Sequence, residues 1–300
     1  MSLVNNIQTV KIASPFHTND FTRYNINIDS RFRINPLQST TTNFTINLTN
    51  PIKNAVRIRC VSEEIPNNYN FFTPVRKNIT IAINYGAGFG TRQVLQVHSG
   101  NYSTIEMATE LNAQISDASL NWLNVVWDGI QGIFYFIGTQ AFQLDTTELT
   151  YSRLFDYGLG YYLGFNRGIL PSVYYDNKYM VKSDFYANFT GDNYLFLNLN
   201  DYAVIQQQTE SAVVNYFGKI ILTQPKDDMI FDTNASGNVK EIVFEVPTDV
   251  SSFNIQIYDA YGQSVDFQNN NVSFTFEVTE VRNLAVFNTI RDKMLQAFCC

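Results

Sequence analysis

Between Thr42 and Pro66 the chain reads TNFTINLTNPIKNAVRIRCVSEEIP, and its side chains alternate in polarity. Phe44, Ile46 and Leu48 fall on one face of an extended segment, with Asn43, Thr45 and Asn47 on the other. Past Asn50-Pro51, Val56, Ile58 and Cys60 alternate with Arg57 and Arg59. A helix cannot bury such a pattern, because its apolar positions recur every three to four residues. The phase slips after Cys60, where Val61, Glu63 and Ile65 take over, which predicts a bulge or a second contact face. Two strands of a sandwich wall are therefore expected, interrupted at Asn50-Pro51 and ended by Pro66-Asn67-Asn68.

The rest of the chain repeats the theme. Residues 1–22 are polar and without period, as in an arm. Tyr24, Ile26 and Ile28 alternate, and a Gln/Ser/Thr loop fills 37–43. Strands are expected over Asn78–Tyr85 and Arg92–His98, with a Gly-rich loop between them. Ser103 followed by Glu106 is a capping box, which opens a helix over 103–116. Its apolar face reads Ile105, Ala108, Leu111 or Asn112, and Ile115. A hairpin follows, Trp122–Trp127 and Gly132–Ile137 about Asp128-Gly129, and its second arm is apolar on both faces, so it should be central. From Gln143 to Tyr186 no period is sustained, and long packed loops are expected. Strands resume over 193–200, 213–222 and 240–246, where Pro247 closes the last. Phe253–Ile257, Val265–Phe267 and Val272–Val278 then read as an antiparallel meander. Leu284, Phe287, Ile290, Met294 and Phe298 recur at helical spacing.

This pattern predicts an all-β protein, an antiparallel jelly-roll β-sandwich with an inserted helix plus hairpin and a short C-terminal amphipathic helix. The expected divisions are an arm at 1–22, the sandwich at 23–281 with its insertion at about 100–140, and a helix with tail at 282–300.

Composition narrows the function. Charged residues make up 16% of the 300, against roughly 25% in ordinary domains, while 15% are aromatic. Such a surface suits a protein covered by neighbours. The net charge of −7 is uneven: up to Arg92 there are ten basic and four acidic residues, and afterwards ten and 23. Either the two ends pair between copies or the charges intermix on folding. The acidic balance argues against nucleic-acid binding. Three cysteines make no disulfide framework, so a reducing compartment fits. The opening MSLVNNIQTV lacks the basic and apolar regions of a signal peptide, and no apolar run is long enough to span a membrane. The sequons at Asn43, Asn47, Asn78, Asn101, Asn188, Asn234 and Asn271 are read as unused.

No catalytic residue, metal site or cofactor is expected. His17 and His98 are the only histidines and read as arm and turn residues. Glu63/Glu64 and Asp227/Asp228 are sequence neighbours on opposite faces and are expected to be solvated. Gly86-Ala87-Gly88-Phe89-Gly90 precedes a strand instead of a helix, so it reads as an inter-strand loop, not a phosphate site. Tyr161, Tyr162, Tyr174 and Tyr175 are expected in packing or at an interface, with sugar or base stacking as the alternative. Cys299-Cys300 form a free tail, a lipid-modified anchor or a link to a neighbour. Partner-contact candidates are Arg31, Arg33, Arg57 and Arg59, with Phe287, Ile290, Met294 and Phe298 of the last helix. That helix either packs on its own sandwich or docks on a partner.

Several segments occur in a telling order: Ile28-Asp29-Ser30-Arg31-Phe32-Arg33, then FTINL, then IKNAVRIRCVSEEIPNNYNFF. Gly100-Asn101-Tyr102 precedes the helix with Leu111-Asn112, and Leu163-Gly164-Phe165 follows. TGDNYLFLNLNDY, KIIL and IQIYDAYGQSVDFQNNNVSFTFEVTEV come next, so the set spans most of residues 28–281. In these segments the chain resembles the non-major capsid proteins of large icosahedral nucleocytoplasmic DNA viruses, the minor capsid and penton-type jelly-roll proteins. The first 22 residues and the Cys-Cys terminus stand outside the pattern.

The resemblance implies a structural virion protein, assembled in the host cytoplasm and devoid of catalytic residues. It would be either a minor capsid protein contacting the major capsid protein or a homo-pentamer at the vertices. Arg31 and Arg33 lie on one side of an extended segment in this reading, and either clamp an acidic patch on a neighbour or pair with Asp29 and Glu63. Contact with an inner membrane through the C-terminus has no support beyond the two cysteines. From another class, a carbohydrate- or receptor-binding sandwich would use the loop tyrosines.

Overall fold

The computed structural model describes residues 20–147, 158–208, 213–233 and 240–298, with side chains as far as Asp292. The protein is an all-β jelly-roll sandwich of antiparallel, curled sheets, with an inserted helix plus hairpin and a C-terminal helix. Two compact units divide the chain, one built from residues up to Asn67 and from Tyr194 onward, the other from Asn68–Asn193.

The first unit opens with β1 (Phe21–Asp29), followed by β2 (Asn43–Pro66). β2 is one 24-residue strand where the sequence predicts two. Asn50-Pro51 does not end it, because the ladder absorbs the interruption.

The second unit then intervenes. β3 (Thr80–Tyr85) and β4 (Thr91–Gln96) form a hairpin about a 3-10 turn in which Gly86 and Gly88 take positive φ, 79° and 62°. The Gly-rich stretch is thus the inter-strand loop expected. Helix α1 (Thr104–Asp117) carries the capping box intact. Its buried face is Met107, Ala108, Leu111 and Ile115, whereas Ile105 is exposed. Asn112 fixes the helix to the first arm of the hairpin β5 (Leu123–Asp128) and β6 (Ile133–Gly138). Its amide donates to Val125 O and accepts from Val125 N, each at 2.8 Å.

The stretch from Gln143 to Tyr186, expected as loops, instead holds most of β7 (Phe142–Asp145), the single-turn α2 (Leu159–Tyr162), β8 (Ile169–Pro171), β9 (Val173–Tyr175) and β10 (Lys178–Lys182). Strands of three to five residues are too short to show a period. β9 and β10 close through Asp176-Asn177, both at positive φ, a two-residue turn that matches strand twist. The unit comprises two four-stranded sheets, β4-β3-β7-β8 and β5-β6-β10-β9, and β6 is central as its two apolar faces foretell.

The chain returns to the first unit with β11 (Tyr194–Leu199), β12 (Ile205–Gln208), β13 (Val213–Tyr216), β14 (Gly218–Ile221) and β15 (Met229–Asp232). β16 (Glu241–Tyr258), β17 (Ser273–Val281) and α3 (Leu284–Phe298) follow. The sheet order is β1-β17-β2-β16-β11-β14, with β15 also on β2. Because β2 lies between β16 and β17, the expected terminal meander does not form. β16 also runs through Pro247, which sits where its register with β2 shifts, between Val243 and Thr248. A proline costs little at a break in the ladder. Between the pairs Val250↔Ile52 and Ser252↔Asn47, β16 advances two residues and β2 five, so Leu48–Pro51 leave the ladder. The slip after Cys60 is a bulge: Thr275 pairs with Ser62 and Phe276 with Cys60, which leaves Val61 over.

The core of this unit follows the alternation. Phe44, Ile58, Leu195, Leu197, Phe253, Ile255, Phe274, Phe276 and Val278 are buried. Phe253 and Phe276 stack with centroids 5.2 Å apart.

Candidate contact surfaces

The arginines come first because the sequence singles them out. Ser30–Phe32 is a 3-10 turn, not an extended segment, since the Asp29 carboxylate caps it by accepting from Arg31 N at 2.9 Å. Arg31 and Arg33 consequently do not share a strand face. The Arg31 guanidinium folds back on Asp29 and, by hydrogen bonding to it, holds that carboxyl below the usual range despite its burial. Arg33 instead donates from Nη1 to Ser30 O at 2.8 Å. Arg31 therefore takes the intramolecular alternative, pairing with Asp29. Phe32 and Leu37, in and beyond this turn, are 74% and 100% exposed.

Arg57 and Arg59 lie on β2, between β16 and β17. Arg57 pairs with Glu241 at 2.6 Å, and Arg59 stands opposite Glu241 on one side and Glu277 on the other. Each is half-buried, so this face is already balanced in charge within the chain.

On α3, Phe287 and Ile290 are half-buried while Leu284 and Val286 are exposed. Arg291 Nη1 reaches Glu245 O at 3.4 Å. The side chains of Met294 and Phe298 lie outside the described residues, as do residues 1–19 of the arm expected over 1–22, His17, Asn234, Cys299 and Cys300; Phe21 and Thr22, expected in that arm, pair with β17 as the start of β1. Among the described residues no helix is long and apolar enough to cross a membrane.

In the second unit, β8 and β9 are the edge strands of their sheets. β9 exposes all three side chains: Val173 67%, Tyr174 60% and Tyr175 70%. Ile169 on β8 is also exposed. Val173 and Tyr175, two apart and so on one face, line a cavity of about 460 Å³ with Leu170, Pro171, Met180 and Val181. Tyr174 lies on the other face against Tyr179, ring centroids 5.0 Å apart. Tyr162, by contrast, is buried edge-on against Phe71, Phe72 and Tyr161. The four tyrosines do not form one group.

Two pairs of titratable groups bear on the sequence expectations. His98 is exposed, and its Nδ1 sits 2.7 Å from Glu110 Oε1. Burial raises Glu110, but hydrogen bonds from the His98 backbone and ring and from Gln114 outweigh it and leave the carboxyl lowered. The pair braces α1 against the strand end. The second pair overturns an expectation: Glu63 is not solvated but buried, beside the fully buried Lys240. Glu64, Asp227 and Asp228 are exposed as expected. A signal for the buried pair exists in the sequence. Glu63 is in phase with Val61 and Ile65, and Lys240 with Ile242 and Phe244, so each charge falls on an apolar face. Among the described residues no group of three or more His, Cys, Asp or Glu could hold a metal ion.

No protein-family model and no curated protein matches the chain. Among solved structures it is similar to the mavirus penton protein, with a TM-score of 0.47 and 10% sequence identity over 87% of this chain and 99% of that one. At that TM-score the likeness decides nothing about this chain.

Proposed function

We propose that the chain is a structural component of an icosahedral virus capsid, a minor capsid protein whose surfaces meet the major capsid protein and other neighbours in the virion. The observation that carries this reading is the uncovered edge at Val173–Tyr175. Proteins that stay single keep edge strands very short or blunt them with charge, proline or a covering loop, because a long bare apolar edge pairs with whatever it meets; β9 is short, at three residues, and follows Pro171, but it carries no charge. Here valine and two tyrosines stand at 60–70% exposure on such an edge. Tyrosine contributes much to protein contacts, giving large area with a polar tip. The resemblance of the segments between residues 28 and 281 to non-major capsid proteins supports the same reading. The work of such a protein is burial at interfaces on the order of 1,600 Å² each, not catalysis, and it needs no cofactor. Its place would be the virion, assembled in the host cytoplasm, without direct contact with nucleic acid.

Mass spectrometry of purified particles tests this: the chain should be present in fixed ratio to the major capsid protein, and its absence overturns the proposal. One observation favours the vertex position as a second reading. Among the described residues β1, β14 and β15 each pair on one side only in the seven-stranded sheet, and a head-to-tail ring could join the β1 and β14 edges. A recombinant pentamer would favour the vertex, and a monomer or dimer the minor component.

A further inference from the structure

The open edge of β9 is defined by more than its exposure. β9 and β10 close through Asp176-Asn177, so Tyr175 and Lys178 are the hydrogen-bonded pair beside a two-residue turn. In an antiparallel ladder such pairs alternate with non-bonded ones. Val173 and Met180 are therefore bonded to each other again, and Tyr174 turns its N–H and C=O away from β10. Among the described residues β9 ends its sheet and neither Tyr174 group has a backbone partner. One donor and one acceptor thus face outward at the centre of the edge, where an incoming strand pairs.

The side chains set what that strand must carry. Tyr175 stands opposite Lys178 and Val173 opposite Met180, so Val173, Tyr175, Lys178, Met180 and Lys182 share one face. Four of them, all but Lys178, line the cavity of about 460 Å³ with Leu170 and Pro171 of β8. Lys178 comes two residues before Met180 and Lys182 two after it, so a lysine flanks the apolar row on each side. Both lysines are exposed, and among the described residues neither makes an ion pair or a side-chain hydrogen bond. Two acids are close in the chain. Asp184 also lines the cavity, where its Oδ2 accepts from Asn166 N at 3.1 Å, and Asp176 belongs to the turn.

We propose, on the footing that Val173–Tyr175 is a contact surface, that its occupant is an extended segment of a partner protein with the pattern acid-x-apolar-x-acid. The segment joins β9 as a further strand and pairs with the Tyr174 backbone. Its apolar side chain enters the cavity beside Val173 and Met180, and its two carboxylates, each two residues away on the same face, meet Lys178 and Lys182. A strand added here lies about 10 Å from β10, a gap that a lysine and a glutamate side chain span together. The cavity by itself accepts any apolar side chain; the lysines on both sides select the acidic segment.

Titration of the full-length chain with the peptide Thr-Glu-Thr-Phe-Thr-Glu-Thr, followed by NMR, tests this. Exchange of the Tyr174 amide with solvent should slow on binding. The affinity should be roughly tenfold or more above that for Thr-Lys-Thr-Phe-Thr-Lys-Thr or Thr-Glu-Thr-Ser-Thr-Glu-Thr. Lys178→Glu with Lys182→Glu, at two exposed side chains, should reverse the order of the first two peptides. Equal affinity for the acidic and basic peptides, an unreversed order in the double variant, or an unslowed Tyr174 amide overturns the proposal. So does self-association of the chain that the acidic peptide disperses, since the occupant is then a second copy. Binding is measured on the isolated chain, so its failure leaves the chain's place in particles untouched, and absence of the chain from particles leaves the peptide result standing.

Discussion

The two units share a core of apolar and aromatic side chains but differ in one buried ion pair and in the dressing of one edge strand each. In the first, charge is inside, at Lys240 and Glu63, and edge strand β1 is polar: it exposes Arg23, Asn25 and Asn27, with Tyr24 held to Glu280 at 2.7 Å, although β15 exposes Phe231 and Met229. In the second, the interior is made of rings such as Phe134, Phe136, Phe142 and Phe165, and the rim is apolar at Val173–Tyr175. An edge dressed in Arg and Asn is protected as it stands. An edge of Val and Tyr is complete only when something covers it. The contact surface proposed above rests on this difference between edges and not on total composition, since exposed apolar residues occur in both units.

The largest effect expected is inside the first unit. Lys240→Ala leaves the buried Glu63 and the half-buried Asp232 without their cation and should lower stability by about 4 kcal/mol in urea unfolding; a loss below about 1 kcal/mol would mean that charge does not hold that interior. The counterpart in the second unit is Phe136→Ala, at a fully buried ring packed edge-on against Phe165. There a loss of about 3 kcal/mol is expected from the cavity left behind, measured the same way.

The contrast between rims comes next. Tyr174→Lys with Tyr175→Lys should cut incorporation into particles at least tenfold, about 1.4 kcal/mol of contact, while stability moves by less than about 0.5 kcal/mol. Ser103→Ala removes the cap of α1 and should cost about 1 kcal/mol, read from thermal unfolding. Smallest of all, Arg23→Glu on β1 should leave both stability and incorporation unchanged within about 0.5 kcal/mol. Loss of incorporation there would favour the vertex reading, in which β1 meets a neighbour.

Much of the fold is legible in the amino-acid sequence. Period two marks β2, β3, β16 and β17, and the slip after Cys60 marks the bulge at Val61, because burial on one face leaves a trace at every second residue. The capping box marks the start of α1 for an equally local reason. What the sequence hides is pairing. That β2 separates β16 from β17 is a fact about partners distant in sequence, and no local pattern carries it. The apolar face of α1 is misread at its start, where Met107 is buried and Ile105, two residues earlier, is exposed, because both fit a helical stripe until the packing chooses. β8 and β9 are too short for a period. For contact candidates the sequence points at four arginines and at the last helix, and only in passing at Tyr174 and Tyr175; of the arginines, Arg31 turns onto Asp29, Arg57 onto Glu241 and Arg33 onto Ser30 O. Exposure on an edge strand depends on where the sheet stops, and the sequence does not say where that is.

A reconstruction of purified particles with this chain traced is the most direct test. A neighbouring chain should lie against Val173–Tyr175 and exclude water from that edge. Particles that lack the chain, or that hold it with this edge open to solvent, would contradict the account.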